Sequence, residues 1–258
     1  MQTYRTDLHI HTVLSPCGDL EMSPVNIISA AVDSGLNIIG ITDHNSTQQC
    51  KLIWKLGRKA GLTVVPGCEV TSQEEVHCLS LFPDFDALAE FQRFLDRRLM
   101  YIPNNPEIFG YQVVVDEDDN IEEEFENYLG ASVDASIEEV EQKVHELNGI
   151  FIPAHVDRPR NSLFSQLGFI PPELKIDALQ ISKLAEEDSL RMKYQIHPEV
   201  TIVKFSDSHF LEGIGKTYTN FELEQPTFAE IRMALKKLEG RGVWIPETSP
   251  KSLPTEGA

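Results

Sequence analysis

The sequence predicts an α/β fold of seven βα units closing into a barrel, on three observations. Short β-branched apolar runs alternate with longer segments of helical periodicity, the pattern of βα units around a parallel sheet. Seven such runs fit in 258 residues, a barrel-sized number in a chain long enough to bury roughly 70–75% of its unfolded surface. Nearly every histidine follows directly on one of those runs.

In chain order the strands are expected at 6–10, 37–41, 62–66, 76–82, 149–153, 178–181 and 201–205. The helices are expected at 24–34, 47–60, 87–100, 136–147 and 228–238, where apolar residues recur at three- and four-residue spacing. Ser23-Pro24 marks one helix start, an N-cap followed by proline at the first helical position, and Ser136 with Glu139 forms a capping box at another. The stretch 102–134 breaks the rhythm with Pro103, Pro106 and an Asn-Asn pair, followed by eight acids and no base between Asp116 and Glu126. It reads as a partly mobile surface insertion whose acids lie on a solvated loop or the exposed face of a short helix. Residues 1–240 are expected to form one barrel domain carrying that insertion, and 241–258 a polar, proline-containing tail.

Composition narrows the function. Twenty-two Lys and Arg oppose 41 Asp and Glu, a formal net charge of −19, which argues against non-specific nucleic-acid binding and against attachment to anionic lipid. No run of 18 apolar residues occurs and charge appears early, so no membrane span or signal peptide is expected and a cytoplasmic location is the default. Cys17, Cys50, Cys68 and Cys78 form no Cys-x-x-Cys pair, which disfavours a zinc ribbon or redox dithiol and fits reduced thiols.

The chemistry is expected where the strands end. The first strand ends in Asp7-Leu8-His9-Ile10-His11, the second in Thr42-Asp43-His44 and the third in Gly67-Cys68-Glu69. Later ones end in Ala154-His155 and in Ser206-Asp207-Ser208-His209. In a βα barrel the carboxyl ends of the strands share one face, and active sites are built there. His9 and His11, like Asp207 and His209, are two residues apart on extended backbone, so each pair points to one side. Asp43 and His44 are adjacent, so His44 is assigned as a ligand and Asp43 as its support. Imidazole with carboxylate and no thiolate suits zinc, iron or manganese better than calcium, and there are too many such groups for one tetrahedral site. His145, inside a helical pattern, reads as a surface residue, and His197 before Pro198 as a loop residue.

These motifs resemble the polymerase and histidinol phosphatase (PHP) family of metal-dependent phosphoesterases. The resemblance rests on Asp7-Leu8-His9-Ile10-His11-Thr12, Ile41-Thr42-Asp43-His44-Asn45, Pro66-Gly67-Cys68-Glu69-Val70 with Glu75-Val76-His77, His155, and Ser206-Asp207-Ser208-His209, and it covers residues 5–220. It implies a distorted, seven-stranded TIM-like barrel with two or three divalent ions (Zn, Mn or Fe). By the resemblance His9, His11 and Asp207 hold the first metal and Glu69 bridges it to the second. His77 and His155 complete the second site, and His44 and His209 hold the third. Asp19 is the best match for a further ligand to the third, with Cys17 its rival, although Ser15-Pro16-Cys17-Gly18 lengthens the spacing.

The implied reaction is phosphoester hydrolysis by a hydroxide shared between two metals, with no covalent enzyme intermediate. Asp43 or Asp157 would handle protons, and Arg158, Arg160 and Lys216 are candidates for binding a substrate phosphate. The expected substrate is a small phosphorylated metabolite, a nucleotide or a short oligonucleotide. The acidic surface is expected to repel long duplex DNA around an electropositive pocket. Two alternatives remain: a non-catalytic metal-binding module, and an amidohydrolase-type C–N hydrolase, whose barrels also begin with a His-x-His strand.

Overall fold

A computed structural model describes residues 1–246. Its elements run β1 (Gln2–Ile10), α1 (Pro24–Asp33), β2 (Ile38–Ile41), α2 (Cys50–Ala60), β3 (Thr63–Thr71), β4 (His77–Leu81), α3 (Phe85–Asp96) and α4 (Pro106–Phe109). They continue with β5 (Val113–Val115), β6 (Ile121–Glu124), α5 (Ile137–Glu146), β7 (Ile150–Pro153), α6 (Leu163–Gln166), β8 (Leu179–Gln180), α7 (Glu187–Tyr194), β9 (Ile202–Val203), β10 (Thr219–Leu223), α8 (Phe228–Leu235) and β11 (Gly242–Trp244). Each of the seven expected strands has a counterpart among β1–β4 and β7–β9. Among the described residues no helix is long and apolar enough to cross a membrane.

The sheet is mixed, which corrects the expectation of a parallel one. β1, β2 and β3 are parallel, but β4 runs antiparallel to both β3 and β7. The reason is the link between Thr71 and His77: a parallel crossover needs about a dozen residues, and this connection is far shorter. Closure then passes through irregular segments. Asp177 N donates to Phe151 O (3.0 Å) and Val156 N to Gln180 O (2.9 Å), joining β7 to β8. β8 pairs with β9 in parallel, and beyond β9 His11 N donates to Ser208 O (3.0 Å), returning to β1. A distorted seven-stranded barrel results.

Alternation along the strands sorts two layers of core. Leu8, Ile38, Val65, Leu79, Ile150 and Ile152 belong to one buried cluster. Ile39, Val64 and Phe151, one residue out of phase, belong to another together with Ile27, Ile53, Phe91 and Val140 of the surrounding helices. Gly40 is required where β2 passes β1, because a Cβ there would lie 2.5 Å from Leu8 O. The Ser136 capping box forms at α5. Ser23 occupies the N-cap of α1, but its hydroxyl makes no capping bond.

The insertion is folded, with a two-stranded sheet of its own, and packs against the barrel. Val113, Val114 and Val115 are buried, and β5 pairs with β6. The acids are not on a helix: Ile121–Glu124 is a fully exposed strand, reached through a turn that Asp116 closes by accepting from the backbone N–H groups of Asp118 and Asn120 (both 2.9 Å). Two amide side chains fasten the insertion to the barrel. Asn45 donates to Leu129 O and Ala131 O (2.6 and 2.8 Å), and Gln49 exchanges two 3.0 Å bonds with Val115. Part of the span expected as tail is a strand: β11 pairs antiparallel with β10, which in turn covers the first half of β1. Residues 247–258 lie outside the described residues.

His145 is half-buried rather than superficial. Its Nδ1 lies 2.5 Å from Glu141 Oε1 and its Nε2 lies 2.9 Å from Asp177 Oδ2. That same Asp177 oxygen accepts from Phe151 N (2.9 Å), so the cluster ties α5 to β7 and the approach to β8. The Asp177 hydrogen bond raises the His145 pKa against the opposing effect of burial. A folded-state pKa above the unfolded one means that this stabilisation is complete below about pH 6.5 and is lost as pH rises through the folded value. His145→Gln should therefore cost about 1–2 kcal/mol at pH 5.5 and clearly less at pH 9, as read from urea unfolding midpoints at the two pH values.

Candidate metal centre

The irregularities of the barrel place the ligand-type side chains. β1 carries one more residue than β2 between Asp7 and Ile10, a register shift that falls on Leu8 and His9. Such bulges re-aim side chains next to active sites. Beyond β2 the chain stays beside β3: Glu69 N donates to Asp43 O and Asn45 N to Glu69 O (both 3.0 Å). This puts His44 opposite Glu69 in a parallel bridge. Because β4 is reversed, His77 is its first residue and still lies at the end of the barrel where the parallel strands finish. His155 and Asp207 follow β7 and β9 at φ of +30° and +53°. Left-handed backbone in non-glycine residues is a strained state that concentrates at functional sites.

The side chains converge on Glu69. Its Oε1 lies 3.3 Å from His9 Nε2, 3.2 Å from His77 Nδ1 and 3.2 Å from His155 Nε2, and its Oε2 lies 3.4 Å from His11 Nε2 and 3.3 Å from His44 Nδ1. Asp207 Oδ1 is 3.2 Å from His9 Nε2 and 3.3 Å from His11 Nε2, which are 3.1 Å from each other. Ligands held at about 2.1 Å from one ion in tetrahedral or octahedral array stand about 3.0–3.4 Å apart, so these spacings are edges of coordination polyhedra. Three groupings bring their ligand atoms within 4.8 Å of one another: His9, His11, Glu69 and Asp207; His44, Glu69 and His77; and His11, His44 and His209. Among the described residues, His44 Nδ1, His77 Nδ1 and Glu69 Oε1 are buried polar atoms without a hydrogen-bond partner. That is the state expected of atoms reserved for a cation.

The remaining ring nitrogens are largely taken. His9 Nδ1 meets Gln180 Oε1 (2.8 Å), His11 Nδ1 meets Ser15 Oγ (2.9 Å), His77 Nε2 meets Asn161 Nδ2 (3.1 Å), and His209 Nδ1 meets Asp207 O (3.0 Å). Such partners fix ring orientation and ligand basicity. The sequence reading missed Gln180, Ser15 and Asn161.

Electrostatics agree with a cation-binding cavity. Burial alone would push the Glu69 carboxyl up, but the imidazoles of His77 and His9 bring it well below the ordinary range. Burial drives His44 down and takes His209 to about 4, leaving neutral imidazoles with free lone pairs. For His11, burial is outweighed by hydrogen bonds to Asp207 and Glu69, and its pKa is pushed up to about 10.

The other expected residues are placed variously. Asp43 faces the loop rather than the cavity, accepting from Thr12 N (2.7 Å), Thr12 Oγ1 (2.8 Å) and Ser15 Oγ (2.7 Å), so it supports His11 through Ser15. Asp157 is bound to the backbone N–H and hydroxyl of Ser182. Arg158 reaches the cluster, with Nη2 2.5 Å from Asp207 Oδ2 while the side chain stays 46% exposed. Arg160 is exposed, and no contact brings it to the cluster. Lys216 lines a separate, adjoining cleft. Asp19 falls outside all three groupings, its carboxylate accepting from Glu21 N (2.8 Å). Cys17 is exposed and also outside them. All four cysteines are unpaired.

A family model described as the PHP domain matches residues 7–148, more than half of the chain. The chain belongs to the PHP domain family. A second model, described as PHP-associated, matches residues 206–239. Among curated relatives, the chain is similar to the uncharacterized protein YqxK of Bacillus subtilis (22% identical, 94% of this chain and 64% of that protein). It is also similar to the uncharacterized protein MJ1587 of Methanocaldococcus jannaschii (35% identical over 27% of this chain and 46% of that protein). Among solved structures, the lesion-specific endonuclease PfuEndoQ from Pyrococcus furiosus superposes with a TM-score of 0.74 at 24% identity, over 94% of this chain and 58% of that one. A metal-dependent phosphoesterase, so described provisionally, from Bifidobacterium adolescentis gives 0.59 at 17% identity, over 90% and 96%. The chain thus spans less than two thirds of YqxK, MJ1587 and PfuEndoQ. The structural likenesses show the fold, a PHP-type TIM-like barrel.

Two substitutions probe the PHP cluster. Glu69→Gln removes the charge common to two groupings and should reduce the metal content of protein purified without chelator to well under half of the wild-type value by elemental analysis. Gln180→Leu, which only releases His9, should weaken metal affinity about 10–100-fold, measured by competition with a chromogenic chelator. Wild-type metal content in Glu69→Gln would remove Glu69 from the ligand set.

Proposed function

We propose that this PHP barrel, residues 1–240 with its insertion, is a metal-dependent phosphoester hydrolase with His9, His11, Glu69 and Asp207 as the core of its metal site. The observation that carries the reading is Glu69, a buried carboxylate with five imidazoles at 3.2–3.4 Å. His44, His77, His155 and His209 extend the same site, and two or three divalent ions of the zinc, manganese or iron type match its imidazole and carboxylate donors. When bound, such ions provide Lewis-acid stabilisation of phosphoryl charge and activate water as the nucleophile.

The chain's own residues do the rest. Arg158, at the cavity mouth beside Asp207, directs guanidinium donors toward the phosphoryl oxygens, where charge grows during displacement. Asp43 and Asp157, whose carboxylates are occupied by Thr12, Ser15 and Ser182, act as positioning groups rather than proton carriers. Glu69 with His77 beside it, Nδ1 3.2 Å from Oε1, fits the PHP arrangement better than the amidohydrolase one, which favours ester over C–N hydrolysis.

Nucleic acid is the substrate class we favour. The fold is shared with a lesion-specific endonuclease, and with Endonuclease Q crystallised on a 27-mer duplex bearing an abasic lesion (TM-score 0.70, 24% identity). That likeness gives no support to the exclusion of long duplex expected from net charge. Small phosphorylated metabolites and nucleotides are the competing substrate classes.

Chelation followed by dialysis should lower hydrolysis of bis(p-nitrophenyl) phosphate by at least a hundredfold, and manganese, zinc or iron should restore it. Absence of ester hydrolysis with every metal, at full metal occupancy, would overturn the reading in favour of a non-catalytic module. Arg158→Ala should lower kcat/KM on the same ester about 10–100-fold, with metal content unchanged.

A further inference from the structure

The cavity beside the metal cluster does not end there. A cleft of about 290 Å³ lined by His155, Arg158, Gln180 and Asp207 also includes Lys183. Lys183 in turn lines a second and larger cleft of about 560 Å³, together with Lys204, Lys216, Thr217 and Tyr218. The two are separated by the backbone around Ser182–Ala185, and that partition is braced from the second side: Lys204 Nζ donates to Ala185 O (2.7 Å) and Lys183 O (3.3 Å). An ammonium has three hydrogens, so Lys204 keeps one for the cleft. The crest between the clefts carries Leu184, 85% exposed.

The charge along this path is the reverse of the chain's average. Acids outnumber bases by 41 to 22 in the whole sequence, yet Arg158 and Lys183 line the cleft that holds Asp207, and Lys183, Lys204 and Lys216 line the next. Glu186 and Glu187 also line the second cleft, and Glu187 is engaged by Arg191 at 2.8 Å. A row of cations leading away from a phosphoester site matches a substrate whose negative charges recur along its length.

We infer that Lys183, Lys204 and Lys216 form a phosphate-binding track that holds the sugar-phosphate backbone of a nucleic-acid strand beyond its scissile phosphate. This rests on the phosphoesterase reading. It makes the preferred substrate an oligo- or polynucleotide rather than a phosphorylated metabolite with a single phosphate.

The test compares the wild type with the double variant Lys183→Gln/Lys216→Gln, with Lys204 kept because it braces the partition. Circular dichroism and metal content check folding and the metal centre. Two substrates are used: a fluorescein-labelled single-stranded dodecanucleotide, and bis(p-nitrophenyl) phosphate, which has no neighbouring phosphate. The ratio of kcat/KM for the oligonucleotide to that for the small diester should fall at least tenfold in the variant. Binding of the labelled strand, followed by anisotropy, should weaken, and its slope of log affinity against log salt should shrink by about 1.4. An unchanged ratio with an unchanged salt slope would overturn the track. If neither substrate is hydrolysed by the wild type, the phosphoesterase reading fails, and the anisotropy still decides the track: equal binding by both proteins, or none by either, overturns it.

Discussion

The structure depends on keeping one carboxylate, that of Glu69, ionised and out of water. Its side chain is 1% exposed, and removing an unpaired carboxylate from water costs several kcal/mol. The chain meets that cost by collecting imidazoles from four different segments: after the bulge of β1, after β2, at the start of β4 and after β7. Each imidazole is itself a buried polar group, so most need a second partner. Gln180, Ser15 and Asn161 fill that need for His9, His11 and His77. The ligand cluster and the strand ends are therefore one device. Altering the direction of one strand would leave a charged group without its counterpart.

The reversal of β4 shows how closely the barrel is adapted to this requirement. In an all-parallel barrel a ligand at the start of a strand would lie on the opposite face from its partners. Here the tight return after Thr71 brings His77 back to Glu69 within a single hairpin, with Thr71 paired to His77 and Glu69 to Leu79. Two later members of the cluster, His155 and Asp207, arrive on left-handed backbone, at a cost of order 1–3 kcal/mol each. Such conformations persist where neighbours over-determine them. Val156 N bonded to Gln180 O, and Ser208 exchanging hydrogen bonds with β1, are those neighbours.

Much of this was legible because the signal is local. Seven apolar runs and the residues just beyond them are read directly from the chain, and they locate the barrel strands and the ligand-type side chains. The sheet's direction was misread because attention fell on the runs rather than on the short link between Thr71 and His77, which already forbids a parallel crossover. β10 was overlooked although Thr219-Asn220-Phe221-Glu222-Leu223 alternates as a half-buried strand should. Gln180 was beyond reach: it meets His9 across 171 positions of sequence, and nothing near either residue announces the pairing. Lys216 was selected for its nearness in sequence to Asp207 and His209, yet sequence distance says little about which side of a loop a long side chain occupies.

The acidic insertion, which seemed separable from the chemistry, is part of the frame that holds it. Asn45 follows His44 on left-handed backbone at φ +46°, with Oδ1 accepting from Thr71 N (3.1 Å) and Nδ2 donating to Leu129 O and Ala131 O. One side chain thus joins the end of β2, the end of β3 and the insertion, next to a ligand-type histidine. Gly110 brings the other end of the insertion against the loop that follows His11, so closely that a Cβ there would overlap Pro16 O. The acids are exposed on β6 and in the turn before it, where repulsion among them is relieved by solvent. The net charge of −19 is a sum over the whole chain; the cavity's two carboxylates, Glu69 and Asp207, are faced by imidazoles and by Arg158, so the sum does not describe the charge at the cavity.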